Sequence, residues 1–202
     1  MNVCVCGWYY NPDFMRLLRQ VHKKHPVSVI GNQPWADRDG YPYNYHEREN
    51  RGLEFGAYDY YLKTLWNGGD TLFMHDDMHI KPVIRGHNVV SPVVQFDDIA
   101  KFTDDVVFIF RNEQSRLRNV GIHGRVFFAS DGFLTDLLQV NHGFDWDENN
   151  DGHIQGPAPD YCEQYNWAIQ KLQHYIQVKK LTGLKVNTAY MPSIDYQRRG
   201  VG

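Results

Sequence analysis

The chain reads as an α/β sandwich with a central mixed, mainly parallel sheet. Short apolar runs suited to strands alternate with amphipathic helix stripes along its length. The first three elements are strand, helix, strand, a unit whose default is a parallel pair with a right-handed crossover. The composition is 42% hydrophobic and 22% charged over 202 residues, which is globular and suits one domain with a continuous core.

Taken in order, Val3 to Trp8 is the first strand. Asn11-Pro12-Asp13 then starts a helix, with Asn at the N-cap, Pro at the first helical position and a carboxylate at the positive dipole end. Phe14, Leu17, Leu18 and Val21 form its apolar stripe, and Pro26 stops it. Val27 to Ile30 is the second strand. Gln33 to Asn50 is polar and rich in Pro, Gly and Tyr, and reads as a long loop of the kind that carries function. A second helix places Tyr58, Tyr61, Leu62 and Leu65 on one stripe and closes at Asn67-Gly68-Gly69. Thr71 to Met74 is a strand, as are Val106 to Phe110 and Arg125 to Ala129. Ser130-Asp131 caps a short helix through Leu134, Leu137 and Leu138. Asp160 to Leu181 is a long helix, and Lys185 to Tyr190 the last strand.

A net charge of -3 argues against a general polyanion-binding surface. Cys4 and Cys6 share one strand face and read as small buried residues, and an odd total of three cysteines suggests a reducing compartment. Met1-Asn-Val-Cys-Val-Cys has no basic leader, and no apolar run approaches membrane-span length, so the expected location is cytoplasmic. Walker A, Rossmann and Gly-x-Ser-x-Gly patterns are absent. The 14% aromatic content suits a protein that stacks on rings or sugars, and equally a core with Tyr at its margins.

Three constellations carry chemistry. The strand ending at Met74 runs into Asp76 and Asp77, with His75 and His79 beside them. Adjacent carboxylates at a sheet's carboxyl edge are economically held by a divalent cation, Mg²⁺ or Mn²⁺, at the edge where open α/β sheets bind ligands. Turn capping by both Asp is the alternative. Glu49 to Tyr58, before the second helix, offers Gly52 and Gly56 for close backbone approach and Arg51 for a phosphate, or else is a glycine-containing helix entry without a ligand. Asp147, Asn149, Asp151, Gly152 and Ile154 match the start of an EF-hand loop, so Ca²⁺ at Asp147–Asp151 is a candidate. Ala158 replaces the usual Glu there, and an ordinary Asp/Asn turn is the alternative.

The spacing of Asn50, Gly52, Gly56, Ala57 and Tyr58 from Leu72, Phe73, Asp76 and Asp77 resembles the nucleotide-sugar-dependent glycosyltransferases of the GT-A fold. The likeness is to bacterial and phage relatives with an N-x-G-x-x-x-G-A-Y signature followed by a strand ending in Asp-Asp. It covers roughly the first 80 residues in order and spacing. It implies a single GT-A-like domain over 1–202, with a nucleotide-sugar-binding half at 1–80 and an acceptor-side half at 81–202. The donor would be of UDP type. Asn50, Arg51, Gly52 and His75 would serve donor binding, while Trp8, Tyr9, Tyr58 and the loop around Trp146 would wall a water-poor sugar pocket. Many members carry Asp-x-Asp; here Asp77 matches the metal-ligating Asp, Asp76 stands beside it and His75 replaces the first Asp. His153 would be a late metal or phosphate ligand on a loop closing over the donor. For an inverting reaction Asp160 or Glu163 would be the base, although the two also suit an N-cap and its capping-box partner. Replacing Asp77 by Asn is expected to leave apo stability unchanged or raised by relieving repulsion with Asp76. A metal-dependent nucleotidyltransferase or phosphohydrolase, and a non-catalytic nucleotide- or glycan-binding domain, are the other classes these residues suit.

Overall fold

The computed structural model describes residues 1–50, 52–110, 126–144, 172, 174–191 and 193–196. Its main sheet has seven strands in the order β10-β8-β9-β4-β1-β2-β3. These are β1 (Asn2–Gly7), β2 (Val27–Gly31), β3 (Asn44–Glu47), β4 (Thr71–His75), β8 (Val106–Phe110), β9 (Val126–Ala129) and β10 (Val186–Tyr190). Strands β3, β2, β1 and β4 are mutually parallel. β9 runs antiparallel to both β4 and β8, and β10 is parallel to β8, so β9 alone opposes the rest. The mixed, mainly parallel sheet expected from the sequence is therefore present.

Alternation along the strands sends side chains into two cores. Val3, Val5, Val27, Val29, Leu72 and Met74 pack with Phe14, Leu18 and Val21 of α1 (Pro12–Val21) and with Phe96 and Ile99 of α3 (Val94–Ile99). Cys4, Cys6, Ile30 and Phe73 pack on the other face with Phe55, Tyr58 and Leu62 of α2 (Leu53–Thr64) and with Leu134 and Leu137 of α4 (Asp131–Asn141). Cys4 and Cys6 are buried free thiols, as their shared strand face suggests.

The caps follow sequence chemistry. Asn11 Oδ1 accepts from the Asp13 and Phe14 amides at 3.0 and 3.5 Å, with Pro12 opening α1. Ser130 Oγ accepts from the Phe133 amide at 3.2 Å at the start of α4. β3 lies inside the segment expected to be a loop. Its sequence, Asn-Tyr-His-Glu, lacks an apolar face, and it exists as an edge strand because β2 supplies a hydrogen-bonding partner. Short strands β5 (Met78–Ile80), β6 (Val83–Arg85), β7 (Asn88–Val90) and β11 (Ile194–Tyr196) form two small two-stranded sheets that the sequence does not signal. Residues 174–180 are helical; Asp160 to Lys171, the start of the expected long helix, lie outside the described residues.

The end of α1 is tied to α3 by Asp97, which meets Lys24 Nζ at 2.9 Å and His25 Nε2 at 3.1 Å. Hydrogen bonds from Lys24 and His25 hold the Asp97 carboxyl below the usual carboxylate range. A depressed folded pKa contributes stability above the unfolded value of about 3.9, and that contribution is lost as pH falls through the folded value. Asp97→Asn should therefore lower the melting temperature near neutral pH and flatten its acid-side decline. Parallel melting curves from pH 3 to 7 for the two proteins would refute the tie.

Candidate functional site at the carboxyl edge of the sheet

Four parallel strands, β3, β2, β1 and β4, end at one edge. The segments that follow them are Arg48 to Gly52, Asn32-Gln33, Trp8 to Tyr10 and Asp76-Asp77. A parallel sheet thus gathers residues far apart in sequence, as open α/β sheets do at their ligand-binding edge.

The two carboxylates are not equivalent. Asp76 is fully buried, and its Oδ2 accepts from three successive amides, those of Trp8, Tyr9 and Tyr10, at 2.8, 2.6 and 2.5 Å. Consecutive N–H groups of this kind form an anion-binding nest. Tyr10 adopts a left-handed φ of 49°, which turns the chain into α1. Gln33 Nε2 donates to the Trp8 carbonyl, and the Tyr10 hydroxyl donates to the Gln33 carbonyl, so loops after β1 and β2 are stitched to the latch. Asp76 Oδ1 is buried without a hydrogen bond; His75 Nδ1 lies 3.3 Å away. Burial raises the Asp76 pKa, while His75 and the three amides partly offset that rise.

Asp77 is on the solvent side, with a side chain 14% exposed and Oδ1 3.1 Å from His75 Nδ1. His75 therefore stands between both carboxylates. Burial opposes its charged form, but Cys6, Asp77 and Glu54 outweigh burial and hold its pKa well above the usual histidine range. Cys6, paired in register with His75 across β1 and β4, is pushed up by burial and accepts from Asn32 Nδ2 at 3.5 Å. Tyr9 is exposed, with its ring 6.0 Å from that of His75. Trp8 is half-buried beside it.

On the other side of the edge, Gly52 caps α2 with a left-handed φ of 73°, a conformation that costs glycine little. Asn50 Oδ1 is buried and accepts no hydrogen bond. A buried acceptor without a donor is costly, and a ligand hydroxyl or amide would satisfy it. Glu54, in the first turn of α2, is also buried. Arg48 Nη1 donates to Asn32 Oδ1 at 2.9 Å, placing a cation at the edge. The sequence points to Arg51, not to Arg48, because Arg48 acquires its position only through the edge strand β3. Glu54 is likewise missed, since a glutamate in a first helical turn looks like a dipole partner.

Tyr58 is a correction. It is fully buried, with its ring against Phe55, Phe73, Phe127 and Phe144, so it belongs to the α2-side core and not to a sugar pocket. Its helix phase points it at the sheet. Arg51, the loop around Trp146, Asp147–Asp151, His153, Asp160 and Glu163 lie outside the described residues.

Among the described residues no group of three His, Cys, Asp or Glu side chains is arranged to hold a metal ion. The residues present fit a divalent cation only as part of a set. Asp77 and Asp76 Oδ1, which both face His75 Nδ1, would be the protein oxygens, and the other positions would fall to ligand phosphates and water, a common arrangement for Mg²⁺.

Fold and site define a mixed α/β protein with a polar, carboxylate-bearing site at the carboxyl edge of its parallel strands. No family model matches the chain, and no curated protein matches it. Among solved structures it is similar to the apo-form glycosyltransferase GlyE of Streptococcus pneumoniae TIGR4, with a TM-score of 0.43 and 10% identity over 98% of this chain and 54% of that one. The chain thus spans about half the length of that protein. Among the described residues no helix is long and apolar enough to cross a membrane.

Proposed function

We propose that the chain is a glycosyltransferase that moves a sugar from a nucleoside-diphosphate donor to an acceptor. The supporting observation is the convergence, at one sheet edge, of solvent-side Asp77, the unsatisfied Asn50 acceptor and the Gly52-capped start of α2. That combination offers a carboxylate for a cation and the positive end of a helix dipole for a diphosphate. Asp77, with Asp76 Oδ1 and His153, would hold Mn²⁺ or Mg²⁺, whose contribution when bound is to neutralise the leaving diphosphate. Trp8 and Tyr9 would cover the donor. Residues 1–80 would bind the donor and 81–202 would face the acceptor, with Asp160 or Glu163 deprotonating the acceptor hydroxyl if the reaction inverts.

A nucleoside diphosphate and Mn²⁺ together should raise the melting temperature more than either alone, because the described residues supply too few ligands for a cation without phosphate. At a hundredfold excess over the dissociation constant the gain is about 2.7 kcal/mol. The panel is UDP, GDP, CDP and ADP, each with and without Mn²⁺; no shift with any of them would remove the donor site. Turnover of nucleoside triphosphates or phosphate esters in place of sugar diphosphates would assign the site to a nucleotidyltransferase or phosphohydrolase. Glu163→Gln or Asp160→Asn should slow transfer by on the order of 10²–10⁴-fold while nucleotide binding survives. Unchanged rates in both would exclude the pair as bases.

A further inference from the structure

We propose that a cavity under the segment joining β2 to β3 is a saccharide-binding site separate from the Asp77 edge. The cavity measures about 310 Å³ and is walled by Trp35, Tyr41, Tyr43 and Tyr45, with Arg38 and Asp39 among its lining residues. It lies toward the amino end of β3, where Asn44 pairs with Ser28, and on the α1 side of the sheet, where the Tyr43 hydroxyl donates to the Met15 carbonyl at 3.0 Å. Asp77 follows the opposite, carboxyl end of β4, three strands away in the sheet order. Strand spacing alone puts roughly 14 Å between β3 and β4. Tyr10 touches both regions: its amide faces Asp76, and its ring stacks on Trp35 at 5.0 Å.

The walls are built before any ligand arrives. The Tyr45 hydroxyl reaches the Gln33 carbonyl at 3.3 Å. Arg19 donates to the Gly40 carbonyl, and its guanidinium lies 5.0 Å over the Tyr41 ring. The Arg38 guanidinium lies 5.5 Å over Tyr45. Pre-organised aromatic walls with a few polar groups are the usual anatomy of a small-molecule site.

Ring geometry and charge choose the ligand class. The flattest stack, Tyr10 on Trp35 at 4°, is closed by its own two rings. Of the other ring pairs in the cavity wall, Trp35 and Tyr43 are near-parallel at 12° but, with centroids 6.2 Å apart, too close to admit a ring between them, while Trp35 and Tyr41 are tilted by 38°, Tyr41 and Tyr43 by 31°, and Trp35 and Tyr45 by 64°. Tilted rings form a curved wall and not the parallel slot that sandwiches a flat base. Arg38 and Asp39 offer donors and an acceptor side by side, which suits neutral hydroxyls that both donate and accept. Trp35 and Tyr43 are buried behind the surface, so a pyranose would present a C–H face to the half-buried Tyr41 and Tyr45 rings and its hydroxyls to Arg38 and Asp39.

The experiment is saturation-transfer NMR on the full chain with methyl β-D-glucopyranoside, methyl β-D-galactopyranoside, methyl α-D-mannopyranoside and N-acetylglucosamine. Transfer to at least one is expected. Arg38 and Asp39 are exposed, so Arg38→Ala with Asp39→Asn should keep the melting temperature and weaken binding about tenfold, as the loss of one or two hydrogen bonds predicts. Asp77→Asn should leave this binding unchanged, so the inference stands or falls independently of the transferase reading. No transfer from any of the four sugars, or undiminished transfer in the double variant, would overturn it. Displacement of the sugar by uridine, cytidine, guanosine or adenosine would also overturn it by assigning the cavity to a nucleobase.

Discussion

Asp77→Asn is expected to abolish sugar transfer and to leave the protein folded. Asp77 is the carboxylate on the solvent side of the edge, and no other described group duplicates its place. Stability should fall modestly, which reverses the expectation from sequence. Two adjacent carboxylates imply mutual repulsion, so neutralising one would bring relief. In the structure His75 stands between them, 3.1 Å from Asp77 and 3.3 Å from Asp76, and Asp77 is one of the groups that raise its pKa. Asn keeps an acceptor oxygen for the imidazole and loses only the charge, so the cost should stay below the roughly 1.5–3 kcal/mol of a whole charged hydrogen bond. Urea unfolding of both proteins together with a donor-consumption assay would test this. Full activity in Asp77→Asn would sink the cation assignment, and a stability gain would sink the role given to His75.

Asp76→Ala should be far more damaging to the fold. It strands the Trp8, Tyr9 and Tyr10 amides that share Oδ2 and takes a buried negative charge from beside His75. Breaking a buried charged pair by removing one partner costs about 3–5 kcal/mol, a large share of the stability of a domain. Asp76→Asn keeps an acceptor oxygen for the amides and should lose less. Amide hydrogen exchange gives the local readout: protection at residues 8–10 should collapse in Asp76→Ala and persist in Asp77→Asn. Equal protection in the two variants would show that the latch does not hold the turn.

Much of the molecule is legible in its residues because the signals are local. Asn11-Pro12-Asp13 starts α1 by side-chain chemistry that reaches only to Phe14, and Ser130 caps α4 in the same way. The stripes on α1 and α2 and the alternation of Cys4 and Cys6 specify which faces are buried before any partner is known. The hydrophobic run from Thr71 to Met74, followed by two aspartates, marks the edge where the polar site forms.

What escapes the sequence depends on groups distant along the chain. β3 has no apolar pattern, and only the free edge of β2 makes Asn44–Glu47 a strand, which in turn places Arg48 beside Asn32. Tyr58 carries two conflicting signals, a glycine-containing signature that suggests a ligand and an apolar stripe shared with Tyr61 and Leu62, and packing resolves them in favour of the core. Asp76 and Asp77 are indistinguishable as neighbours in sequence. Their difference arises because three amides from residues 66 to 68 positions earlier surround one carboxylate and leave the other toward solvent. Local chemistry determines which residues form strands, helices and caps; the burial and partners of a charge are set by packing between segments that sequence spacing does not specify, and the roles of Asp76 and Asp77 were decided there.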